Sequence, residues 1–161
     1  MIALDITSVT NEIFALTALR KIVNPAESTP EVLCRDQLPA LRVLVRSAFS
    51  GVAVSLAPYL AGAACDPVDP PAEHPYSDRT PLTLEFDFGA SEQQLTSGMR
   101  LTLKRYLEHL VALHVMGDVF GPLETAADRG ARSAEADTLL SLIRGLLRST
   151  PEPLLIRPAH Y

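Results

Sequence analysis

Five prolines within twenty residues, Pro67, Pro70, Pro71, Pro75 and Pro81, interrupt this chain between residues 62 and 81. No regular helix survives that density, because each proline removes a backbone donor and clashes with the preceding turn. A central strand would lose ladder hydrogen bonds. The stretch 62–81 therefore reads as a long loop, of the kind that in compact domains is functional or flexible. Directly after it, Leu82-Thr83-Leu84-Glu85-Phe86-Asp87-Phe88 alternates apolar and polar side chains, and Gly89 punctuates the end. This is the strongest strand pattern in the chain. A lone strand cannot satisfy its own backbone groups. It must pair with part of the 62–81 loop, with the N-terminal residues, or with another copy of the protein, and the pattern does not choose among them.

Both flanks of this insertion carry helical periods. Residues 5–23 place Ile6, Val9, Ile13, Leu16 and Leu19 near a 3.6-residue repeat, with Asp5 or Thr7 as cap and Asn24-Pro25 as stop. A second helical region spans about 31–61, broken or kinked at Pro39. Its clean part carries the stripe Leu41, Leu44, Val45, Ala48, Phe49, Val52 and Leu56. Repeated small residues (Ser47, Ala48, Ser50, Gly51, Ala53, Ser55, Ala57) suit close packing against another backbone. Ser91, with Gln94 three positions on, reads as a capping box opening a third helix that runs to about Phe120, where Gly121-Pro122 stops it. A fourth covers about 123–148, alanine-rich and charged at first, then striped by Leu139, Leu140, Ile143, Leu146 and Leu147.

The expected fold is mainly α: about a four-helix bundle with a small β strand or hairpin insertion (about 62–89) between helices two and three. The expected boundaries are one helical domain over 1–148 and an extended C-terminal arm over 149–161. Prolines 151, 153 and 158 keep that arm from being helical, yet Leu154, Leu155, Ile156 and Tyr161 are too apolar for a plain solvated tail. It either packs back on its own domain or adds to a neighbouring subunit.

The 161 residues suit one ordinary domain, and a hydrophobic share of 47% argues against a largely disordered chain. A net charge of −5 argues against nucleic acid as a partner, since binding phosphates takes clustered Lys and Arg. Two cysteines, Cys34 and Cys65, are too few for a stapled scaffold and read as free thiols, with a single disulfide as the alternative. The start Met1-Ile2-Ala3-Leu4-Asp5 has no signal-peptide pattern, and the apolar stretch Ala48–Ala64 is broken by Pro58. A soluble cytoplasmic protein without a membrane partner is the expectation.

The chemistry-bearing residues offer little. His114 and Asp118 stand at i, i+4 and could share one ion or one hydrogen bond, but His109 points roughly 140° away from His114 by the helical advance per residue. No zinc-protease helix, nucleophile elbow, Walker loop or dinucleotide fingerprint occurs, so no cofactor, no metal and no enzymatic activity is expected. An enzyme or metal protein built on His114 and Asp118 is a third reading. Glu85 and Asp87 read as the solvated face of the strand. Arg42 and Arg46, at i, i+4 with no nearby acid, form either a solvated face or a patch for an acidic partner or nucleic acid.

Leu56-Ala57-Pro58-Tyr59-Leu60 at the end of a helix with an Arg-containing start is followed by a loop and the strand Leu82 to Phe88. After these come Arg105-Tyr106-Leu107, Met116-Gly117-Asp118-Val119-Phe120, an alanine-rich helix and Ile156-Arg157-Pro158. Over about residues 38–158 this order resembles small proteins encoded in prophages and mobile elements of Bacteroidetes. The resemblance implies a phage-type structural or assembly protein of the head–tail junction or tail, which can be built into a virion and has no catalytic residues. The expected function is thus non-enzymatic assembly, as a homo-oligomer or with other protein subunits. A helical binding or regulatory module is the alternative. The expected interface residues are Arg42, Arg46, Leu82, Leu84, Phe86, Phe88, Leu154, Leu155, Ile156 and Tyr161.

Overall fold

A computed structural model of the chain describes residues 1–23, 38–67, 82–122 and 124–148. It is mainly helical with one small antiparallel sheet. In chain order the elements are β1 (Ile2–Leu4), α1 (Ile6–Val23), α2 (Leu38–Leu56) with a 3-10 turn over Ala57–Tyr59, β2 (Gly62–Pro67), β3 (Leu82–Asp87), the single turn α3 (Ala90–Gln93), α4 (Ser97–Phe120) and α5 (Ala126–Arg148).

α4 is the axis of the molecule. Helices α1, α2 and α5 all pack on it, and β1 touches it from the sheet side. Its residues Leu110, Val111, Ala112, Leu113, Val115 and Met116 are therefore all buried, as expected of a helix with neighbours on several sides. α2 contributes the inward row Leu41, Val45, Ala48, Phe49, Val52 and Leu56, the stripe expected from its period except for Leu44, which is only partly buried. α1 contributes Val9 and Ile13, but Leu19 is exposed. Its inner face continues instead through Thr10 and Thr17, whose hydroxyls donate to the carbonyls of Ile6 (2.9 Å) and Ile13 (2.8 Å). A threonine so bonded along its own helix has no unmade hydrogen bond and packs as an apolar residue. Asp5 caps α1, its carboxylate accepting the Thr7 N–H at 2.9 Å.

The sheet order is β1-β3-β2, with Ile2 opposite Phe86, Leu4 opposite Leu84, and Gly62 to Pro67 opposite Asp87 to Leu82. The strand at 82–87 thus takes two of its three expected partners at once and is the central strand. The expectation that all of 62–81 is loop fails at its start: residues 62–67 form an edge strand, where the terminal Pro67 is tolerated because one side of the strand makes no ladder bonds. Leu84, Phe86 and Phe88 are not interface residues. They are buried inside the chain, Phe86 with its ring 4.5 Å from Phe49 and 6.0 Å from Phe88, because both edges of β3 are covered and its apolar face meets the helices. Leu82 pairs with Pro67 in the ladder. Gly89 ends the strand with φ +57°, a conformation that suits glycine, and its N–H donates to the Asp87 carboxylate at 2.9 Å.

The third and fourth helices begin later than expected. The Ser91–Gln94 capping box does not form. Residues 90–93 make one turn, Leu95 is buried at the break, and Thr96 caps α4 by accepting the Met99 N–H at 3.3 Å. α5 begins at Ala126 behind a cap from Thr125, which accepts the Asp128 N–H and donates to its carboxylate. The arm residues Leu154, Leu155, Ile156 and Tyr161, and likewise Cys34, lie outside the described residues.

Candidate interaction surface and polar clusters

The outer face of α2 follows from the way its inner face is spent. With one side packed on α4 and the sheet, the opposite side presents Ala40, Val43, Ser47, Ser50 and Val54, and Ala57 extends it into the 3-10 turn, all exposed. The spacing is 3, 4, 3, 4 and 3, the seam of a coiled coil. Val43 is 44% and Val54 76% exposed, unusual for valines in the middle of a long helix. The Ser50 hydroxyl donates to the Arg46 carbonyl at 3.1 Å, so it presents little unmet polarity. A side chain built on Gly51, beside the seam, would meet no atom within 4 Å. The seam also reads the same from both ends: Ala, Val, Ser, then Ser, Val, Ala.

The region Ala40–Tyr59 has a mean hydropathy of 1.5, and by length and composition it is the one helix among the described residues apolar enough to cross a membrane. This window starts eight residues before the stretch Ala48–Ala64 and ends before it does. The core row, the partly buried Leu44 and Ala53, and the valines and alanines of the seam share its apolarity.

Beside the seam, a hollow of about 430 Å³ opens between α2 and the edge strand β2, lined by Val43, Arg46, Ser47, Ser50 and Cys65. Arg46 is exposed on its rim. Arg42 does not share that rim. It is half-buried and lines a different hollow, with Ile6, Thr10 and Phe14 of α1, so the two arginines do not form one patch. Their 40° angular offset on the helix is enough to put α1 beside one and β2 beside the other.

Two polar clusters tie the other helices together. Glu124, its side chain only 4% exposed, accepts Arg20 of α1 at 3.0 Å and Arg132 of α5 at 3.2 and 2.6 Å. Arg20 also lies 5.5 Å over the Phe120 ring. Arg132 reaches Glu124 by crossing Gly117 of α4, where a Cβ would overlap its guanidinium. In the second cluster, His109 of α4 meets Glu12 of α1 through Nδ1 and Glu135 of α5 through Nε2, the latter at 3.0 Å. Burial pulls this imidazole down, but the hydrogen bonds and charges of Glu135 and Glu12 together reverse that and hold it above its ordinary value.

His114 faces elsewhere, into a cleft of about 240 Å³ between α4 and α5 lined by Leu113, Arg129, Arg132, Ser133 and Ala136. Burial lowers its pKa, the Asp118 charge opposes that, and Arg132 adds to it. Among the described residues no three or more His, Cys, Asp or Glu side chains converge as a metal-binding group. The sequence pattern did not reveal the His109 cluster, because its partners sit 97 positions before and 26 positions after it in the chain. No family model, no curated protein and no solved structure matches this chain.

Proposed function

We propose that the chain is a non-enzymatic assembly protein that works by self-association, and that α2 pairs with α2 of a second copy across a two-fold axis. The observation that carries this reading is the palindromic seam. In an antiparallel pair centred between Ser47 and Ser50, Val43 of one copy meets Val54 of the other, and Ala40 meets Ala57. Self-complementarity of this kind is what an isologous interface requires. Small residues at the centre let the two backbones approach closely, and the valines supply apolar area at both ends. The strand no longer argues for assembly, since β3 is paired on both sides within its own chain; the outer face of α2 takes over that role. The resemblance to prophage proteins supplies the setting, a head–tail junction or tail component.

Light scattering over a range of concentrations tests this. The wild type is expected to form dimers or a multiple of dimers, and Val43→Asp with Val54→Asp to give folded monomers. A wild type that stays monomeric at high concentration, or that binds lipid vesicles through the same valines, overturns the reading. A stable heteromeric partner captured in place of a second copy favours the binding-module alternative.

A further inference from the structure

We propose that His109 is a proton-operated latch: protonated, it fastens the first half of α5 to α4 and α1, and neutral, it lets that half lift away. Carboxylates face both ring nitrogens, Glu12 from α1 and Glu135 from α5. A neutral imidazole has one N–H and one lone pair, so it can donate to only one of them and turns a lone pair toward the other. Only the imidazolium donates to both. The charged groups that act on His109 are these two carboxylates. The neighbouring Glu108 is engaged elsewhere, accepting the Asp5 N–H at 3.1 Å with Lys104 at 3.8 Å.

The latch matters because of where α5 gets its anchorage. The buried residues of α5 are Leu139, Ile143 and Leu147, all in its second half. Across residues 126–138 only Ala136 packs against the core as a hydrophobic residue, and only partly. That half rests on α4 through the His109–Glu135 contact and through Arg132 laid over Gly117. Losing one of two polar ties loosens a segment that apolar burial does not hold. Low-stability segments of this kind open locally without global unfolding.

The mechanism has a fixed sign. A histidine whose pKa is raised by folding stabilises the folded form fully below its unfolded value near 6.5. That contribution fades as pH rises through the raised folded value. Latching is therefore acidic-to-neutral, and release alkaline.

Amide hydrogen exchange of the full chain between pH 5.5 and 8.5, corrected for intrinsic exchange, tests it alongside NMR titration of the His109 ring. Protection over residues 126–136 is expected to fall severalfold as His109 deprotonates, as local opening of that segment requires. Residues 139–147 are expected to keep theirs. Glu135→Gln, an exposed change that leaves the core alone, moves the His109 titration and the loosening together to lower pH. His109→Gln leaves residues 126–136 loose at every pH. Protection that stays flat while His109 titrates, or loosening that persists at the same pH in His109→Gln, overturns the latch. So does a His109 that titrates at or below 6.5.

Discussion

Glu124 shows what a single buried charge does here. It stands just before α5 and accepts three guanidinium hydrogen bonds from Arg20 and Arg132, while Arg129 donates to its carbonyl at 3.2 Å. Removing one partner of such a group leaves the rest with an uncompensated charge in a low-dielectric site. Glu124→Ala is expected to cost about 3 kcal/mol of stability in chemical denaturation, far above the ~1 kcal/mol or less typical of a surface pair. Gly117→Ala should reproduce part of that loss, since the added methyl blocks the path of Arg132. The two histidines act in opposite senses. His114 has its pKa lowered by burial, so its contribution is intact above about 6.5 and is lost as pH falls. His114→Gln should therefore remove part of the destabilisation seen between neutral pH and pH 5, read from denaturation midpoints across that range. None of these roles was legible in the sequence. The i, i+4 pair His114–Asp118 drew attention through spacing, yet Glu124, Glu12 and Glu135 become partners only when three helices converge.

At the scale of elements, period and punctuation carried most of the fold. The α2 row Leu41 to Leu56 is buried as its spacing dictates apart from the partly buried Leu44, and Gly121-Pro122 ends α4 where expected. Three departures have physical causes. β2, with Gly62, Ala63 and Ala64, has little intrinsic strand preference and is a strand because β3 offers it a ladder. The helix expected from Ser91 breaks because burying Leu95 turns the chain there, and Thr96 then supplies the cap. Thr96→Ala is expected to cost ~1 kcal/mol, as for other N-cap losses. Leu84, Phe86 and Phe88, expected at an interface with a partner, are covered instead by the chain's own core. Phe86→Ala should cost about 3–5 kcal/mol in unfolding experiments, the penalty for emptying a packed aromatic site.

At the scale of the molecule, the fold leaves a long surface of small and apolar residues on α2 that no described residue covers. The small residues of that helix were legible from the sequence, as was their fitness for close packing. What the sequence alone did not tell was that they divide: Ala48 faces the core, while Ser47, Ser50, Gly51 and Ala57 face outward with Val43 and Val54. That division turns a packing motif into a surface for a second copy. Disulfide trapping in a Cys34→Ser, Cys65→Ser background tests the arrangement most directly. Position 43 meets position 54 of the second copy in the antiparallel pair, whereas two copies of position 43 lie roughly 16 Å apart along the axis by the helical rise. Mixed Val43→Cys and Val54→Cys chains are predicted to cross-link rapidly, and Val43→Cys chains alone to remain uncross-linked. Equal cross-linking of Val43→Cys alone, or none in the mixture, contradicts the self-association through α2 on which this account rests.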